Sequence, residues 1–312
     1  EVTGALSNQQ GRISSGEGNV QVQAASLDNS AAGMLYGIAG WLRLTVAGLF
    51  NNNNDGVTQA RALEIQSGDL NNAAGHLSAT HGDSRIAARA FNNQGGGLYA
   101  GQLLDLTASS FDNQHGQVAA ATVDFGLGGA LNNSGGIIES SSTLQLVSAS
   151  LFNGNGRLRA LGMQGDTLIR SGTLDNRLGI LESANSNLKL ELDSLLNADG
   201  RIQHVGSGNL QLASALATTA GGTLASNGQL SISTQNWVNS GVLQAARLLL
   251  NVDQFSQTAS GQLLASESLT ASGGTWNNDG LLASDGTLSL TLTGAYSGDG
   301  TLSSLDDLSL TA

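Results

Sequence analysis

The chain has 312 residues, 43 of them Gly, with no Pro and no Cys. That composition excludes a disulfide scaffold, a thiolate metal site and a Cys nucleophile, and Gly without Pro or a three-residue period excludes a collagen. Lys and Arg number 12 against 24 Asp and Glu, a net charge of −12 with the bases scattered, so nucleic acid is not expected as a partner, because phosphate binding needs clustered cations.

Apolar residues make up 40% and aromatics 4%, which predicts an aliphatic core. The longest apolar-looking run, Gly33 to Leu42, is too short to span a bilayer and is closed by Arg43. No stable membrane insertion is expected. No charged-then-apolar signal peptide opens the chain at Glu1.

Read from the first residue onward, one unit recurs. It begins with an apolar residue at Leu6, Leu27, Phe50, Leu70, Phe91, Phe111, Leu131, Leu151, Leu174, Leu195, Leu216, Trp237, Phe255, Trp276 and Tyr296. The steps average about 21 residues, the period of a repeat architecture. Asn follows two places on in most units, from Asn8, Asn29 and Asn52 to Asn176, Asn197, Asn239 and Asn278. Gly comes a few places later, as at Gly11, Gly75, Gly136 and Gly280. An alternating apolar pair then appears, for example Val20/Val22, Leu104/Leu106, Leu144/Leu146, Leu188/Leu190 and Leu288/Leu290.

Alternation with period two predicts strand rather than helix. Asn and Gly tolerate positive φ, so Asn-x-x-Gly reads as a tight turn. Each unit is then two or three short strands, and one unit cannot fold alone, so neighbours must share a core. A leucine-rich repeat has a similar period but needs a longer return segment than Ser140–Ser142. The expected fold is all-β: a single-stranded parallel β-helix of about 15 coils of about 20–21 residues, stacked about 4.8 Å apart. It is expected to run as one continuous segment over residues 1–312.

The missing Pro fits, because every mid-coil amide must donate to a neighbouring coil. Asn72, Asn93, Asn113, Asn133 and Asn153 are expected to stack as an amide ladder along the turn. Phe91 falls over Phe111, where the rings can stack. Longer steps at Leu27–Phe50 and Leu151–Leu174 leave room for bulges. Tyr36 and Trp41 lie in the first, Met163 and Asp166 in the second. No polar cap stands near Val2 or Ala312, so the chain reads as a fragment of a longer filament.

The unit L-x-N-x-x-G-x-[IL]-x-[AS]…L-x-L, as in LNNAAGHLSA at Leu70–Ala79 and LNNSGGIIES at Leu131–Ser140, resembles the filamentous haemagglutinin repeat over nearly the whole chain. The resemblance implies a right-handed β-helix. It implies a shaft of a two-partner-secretion exoprotein, from a family of adhesins and contact-dependent growth inhibition toxins. It also implies display at the surface of a Gram-negative bacterium. Export would run, unfolded, through an outer-membrane β-barrel transporter, and a chain without Cys suits that route. The family's Asn-Pro secretion motifs and a toxin-like domain do not occur here, so the segment reads as shaft.

Chemistry-bearing residues are few. His76, His81, His115 and His204 fit no zinc spacing and are expected as exposed turn or strand residues. No metal and no cofactor is expected. The Asp-Gly pairs, such as Asp55-Gly56 and Asp199-Gly200, do not have the nine-residue period of a calcium β-roll and read as Asp beside the turn Gly. Gly95-Gly96-Gly97 reads as a tight turn, with no helix following to hold a phosphate. Glycosidase chemistry needs two nearby carboxylates. The nearest candidates are Asp285 with Asp306 or Asp307, and Glu182 with Asp193, all expected as solvated acids. No catalytic residue is assigned, and a polysaccharide-acting enzyme is the remote alternative.

Tyr36, Trp41 and Tyr99 fall off the core register. They are the candidate contacts for a glycan or cell-surface receptor, against the alternative that they pack on neighbouring coils. The expected function is a structural shaft that projects a distal adhesive or toxin-delivery region. The alternative is that the segment is itself an adhesin.

Overall fold

The computed structural model describes residues 2–214 and 218–312. Among them there is no helix, and parallel strands stack as a β-solenoid of about 14 turns. The chain divides into two compact units: Glu1–Phe152 with Gly156–Arg159, and Asn153–Asn155 with Ala160–Ala312.

In unit 1 one turn of the solenoid is one sequence repeat. A first leg such as Gln117–Ala120 is followed by a second, Thr122–Leu127, and a third, Ala130–Asn132, before the chain reaches Ile137–Ser140 of the next turn. In other turns the second and third legs run on as one strand, as in Leu103–Asp112. Equivalent residues pair from turn to turn. Phe91, Phe111, Leu131 and Leu151 are in register. So are Leu104, Val123 and Leu144, and Leu98, Val118 and Ile138. These inward columns are buried, and burial of each aliphatic side chain contributes about 1.5–3 kcal/mol. Phe91 and Phe111 pack 4.9 Å apart between centroids, and Phe125 meets Phe111 edge-on at 5.4 Å.

Two polar residues enter these columns. Thr58 donates its hydroxyl to Asn52 Oδ1 at 2.9 Å. Ser84 takes a Leu position between Leu63 and Leu104, and its buried hydroxyl has no hydrogen-bond partner. The long first step does hold irregularities. Pairing shifts between Gly37 and Trp41, where Ile38 bulges into solvent, and again between Val46 and Leu49.

The turn itself differs from the expectation. The left-handed residue is neither the Asn nor the repeat Gly but the one just before that Gly. Gln10, Ala74, His115, Leu178 and Asp199 have φ between 52° and 59°. The repeat Gly is needed for room instead. A Cβ on Gly75 would lie 2.0 Å from the Asn52 carbonyl oxygen, and one on Gly96 would lie 2.2 Å from that of Asn72.

Unit 2 repeats the plan. Leu174 pairs with Leu195, and Trp237, Phe255, Trp276 and Tyr296 share a column. Phe255 and Trp276 pack 4.3 Å apart. One repeat start needs correction. Leu216 lies outside the described residues, and it is Thr218 that pairs with Trp237. The turn is therefore phased two residues later than an apolar search suggests, and Ala220 falls in register with Asn239.

Candidate functional site

The most elaborate polar feature lies inside the turns. In unit 1 the Nδ2 of Asn8 donates to Asn29 Oδ1, and the pattern continues through Asn52, Asn72, Asn93 and Asn113 to Asn133, each bond 2.7–2.8 Å. The second amide hydrogen is directed at turn carbonyls, as from Asn52 to Gly56 O at 3.0 Å. From Asn29 to Asn133 these side chains are fully buried. A buried amide is tolerated when all its groups are paired, and each such bond contributes about 1 kcal/mol net.

In unit 2 the column is interrupted. Asn153 donates to Asn176 and Asn176 to Asn197, both at 2.7 Å. Asn197 then meets the Gly221 carbonyl at 3.0 Å. The column resumes from Asn239 to Gln257 and from Gln257 to Asn278, at 2.9 Å each. It ends on the Tyr296 hydroxyl at 3.1 Å. The amide-to-amide bonds run from turn to turn and other amide hydrogens go to carbonyls of the turn itself, so this buried column joins turns and does not face a ligand.

The three candidate aromatics differ. Trp41 is exposed at the bulge, with the Arg43 guanidinium carbon 5.1 Å from its ring centroid. Tyr36 is half-buried, with that of Arg12 at 5.4 Å. Both rings therefore already have a cation over them. Tyr99 shares an outward column with Tyr36, separated by Gln59 and Ser78. Its ring packs 5.2 Å from that of His76, and its hydroxyl donates to Gln117 Oε1 at 3.0 Å. It folds back over Gly97, where a Cβ would sit 2.6 Å from the ring.

Tyr99 also lines a groove of about 410 Å³ at the corner between first and second legs. The floor is the small residue that ends each first leg, Ala79, Ala100 and Ala120, and Glu139 and Ser141 stand at one end. Unit 2 has two concavities of the same make. One, about 580 Å³, includes Ala225, Gln244, Leu264 and Asp285; the other, about 220 Å³, includes Leu161, Ser183 and Val205. The repeat's [AS] position creates them, because a small side chain cannot fill the corner.

His204 corrects another expectation. It is fully buried, at the end of a first leg where other turns place Ala or Ser. Its Nε2 donates to the Asn185 carbonyl at 3.0 Å, and its Nδ1 faces Ser226 Oγ at 3.4 Å. Burial lowers its pKa below the usual His value. His76 is half-buried and lowered for the same reason. His81 and His115 are exposed. Among the described residues no group of three or more His, Cys, Asp or Glu could hold a metal ion.

Glu182 and Asp193 stand on different legs, Ile180–Ser183 and Asn187–Leu196. Asp285 lines the larger unit 2 groove; Asp306 lies beyond it, with its N–H donating to the Gly286 carbonyl. One carboxylate pair was missed: Asp105 and Asp124 are in register on the outward face of the second leg. Burial, then the Asp105 charge, raises the pKa of Asp124, against a 3.1 Å hydrogen bond from Gln145. Its signal was available, since both are the middle residue of an alternating apolar pair, one period apart. Exposed ion pairs also run from turn to turn, as in Arg43–Glu64 at 2.7 Å and Arg247–Glu267 at 2.8 Å. Such pairs contribute little individually.

Parallel turns closed by buried side-chain amides define a β-solenoid of stacked repeats. The Haemagglutinin repeat model matches residues 1–37, 37–82, 79–125, 116–177, 205–273 and 247–312, and the chain belongs to that family. No curated protein and no solved structure matches it. Repeats of this family occur in secreted or surface-exposed bacterial proteins, and a solenoid of them fits a structural shaft of a secreted adhesin-type protein. The family is structural and adhesive, not typically enzymatic.

Proposed function

We propose that this chain is a shaft segment of a surface-displayed exoprotein of a Gram-negative bacterium. It runs as one solenoid within a longer filament and projects a distal adhesive or toxin-delivery region. Its secretion partner is an outer-membrane two-partner-secretion transporter. The observation that carries this reading is the buried amide column, whose side-chain amides bond from one turn to the next. The test uses the full-length exoprotein on cells. Replacing this chain by an equal number of consensus turns should leave display and activity intact. Removing whole turns should lower the distal region by about 4.8 Å per turn, read by electron cryotomography. Loss of function in the equal-length replacement overturns the spacer role.

A second reading, that the segment itself holds a cell-surface ligand, is favoured by the groove beside Tyr99. Labelled segment should then bind bacterial or epithelial cells saturably, above a control with a scrambled surface. No binding above that control removes this reading and leaves the shaft.

A further inference from the structure

We propose that the Tyr99 groove of unit 1 is a subsite for a neutral glycan. The inference rests on the second reading above, and it names the ligand class. The groove first excludes strand addition. Its floor backbone is already paired from turn to turn: Thr80 N–H donates to Ala60 O, Gly101 N–H to Ala79 O, and Ser141 N–H to Ala120 O, at 2.8–3.0 Å. An extended peptide binds a sheet through a continuous row of unpaired main-chain groups, and these bonds leave no such row. Recognition must run through side chains.

The side chains present suit a polyhydroxylated ring. Tyr99 offers an aromatic wall beside a shallow, small-residue floor. Apolar C–H faces pack on such rings, and hydroxyls need donors and acceptors at the rim. Gln117, already bonded to the Tyr99 hydroxyl, Glu139 and Ser141 supply them. The Glu139 carboxylate is held by Arg159 at 2.9 Å, so the rim's one ion pair is internally balanced. A carboxylate so fixed accepts hydroxyl hydrogens strongly. A chain of net charge −12 with no unopposed cation at this rim disfavours a polyanion. Tyr36 and Trp41, each beneath a guanidinium and outside this groove, are not part of the subsite.

The probes are maltopentaose, cellopentaose and chitopentaose, with a pentagalacturonate as the anionic comparator. Binding to the whole chain is read by saturation-transfer NMR and calorimetry. At least one neutral pentamer should bind. Tyr99→Ala should weaken it about tenfold or more, Tyr99→Phe should retain it, and Tyr36→Ala and Trp41→Ala should leave it unchanged. Circular dichroism and thermal unfolding of Tyr99→Ala show whether the turn survives, and Glu139→Gln, which keeps the shape, should also weaken binding. Binding of the pentagalacturonate alone overturns the proposal, as does neutral binding indifferent to Tyr99→Ala and Glu139→Gln. If labelled segment binds cells but no pentamer binds, the glycan assignment fails and the ligand-holding reading stands. If neither occurs, both fail.

Discussion

The amide columns of the two units come from one repeat and are completed differently. Unit 1 carries Asn at every rung from Asn8 to Asn133. Unit 2 places Ala220 in register with Asn239, Gln257 as a rung, and a Tyr hydroxyl at the end of the second run. Yet the amide hydrogens of Asn197 and Asn278 find the Gly221 carbonyl and Tyr296. What is kept is the pairing of buried donors and acceptors, and the Asn is one way of achieving it. Where pairing fails, burial alone is unfavourable. Asn185 in unit 2 is as buried as any rung, but neither Oδ1 nor Nδ2 has a hydrogen-bond partner.

The largest effect should come from breaking the intact column. Asn113→Ala removes the buried bonds from Asn93 Nδ2 and to Asn133 Oδ1, at a cost of about 2–4 kcal/mol. Urea unfolding of the full chain should show it, and hydrogen exchange should place the loss in the adjoining turns of unit 1. An unchanged urea midpoint would mean the column is ornamental. Conversely, Ala220→Asn restores an Asn at the position in register with Asn239 and should raise stability by about 1 kcal/mol. A loss of stability there would show that the Gly221 carbonyl is the better partner.

A further contrast concerns protons. Below pH 6.5 the unfolded chain binds a proton at residue 204 that the folded chain, with its lowered pKa, resists. Stability of unit 2 is therefore full above pH 6.5 and declines as pH falls through the lowered value. His204→Gln should flatten that decline, as followed by unfolding midpoints across a pH series. Equal acid slopes in both proteins would remove His204 as the source. The smallest effect is expected at Asn185→Ala, under about 1 kcal/mol despite full burial, because no bond of that side chain is lost. A cost matching Asn113→Ala would show that Asn185 has a hidden partner.

The sequence made the repeat legible because aliphatic inward positions tolerate few substitutes. Leu131, Leu151 and Trp276 could be phased by eye, and the haemagglutinin-type repeat followed. Leu216 misled because hydrophobicity alone phased that turn, and pairing gives the position to Thr218. His204 misled because its inward column usually holds Ala or Ser, so a His there resembles a surface residue. The Gly positions were legible, but their reason was not: whether a Gly serves a left-handed φ or a close carbonyl depends on the neighbouring turn. For the candidate site, the three aromatics could be singled out. Which of them borders a groove could not, because that depends on Gly97 and on small residues twenty positions away.

Every rung from Asn8 to Asn113 donates to the Asn of the later turn. The column is thus an arrow, with acceptors facing the earlier turn and donors the later one. A folding front that advances from early turns to late ones meets each incoming Oδ1 with a waiting N–H. Each amide accepts from the turn before and donates to the turn after, so the sense of the column is handed on from one turn to the next.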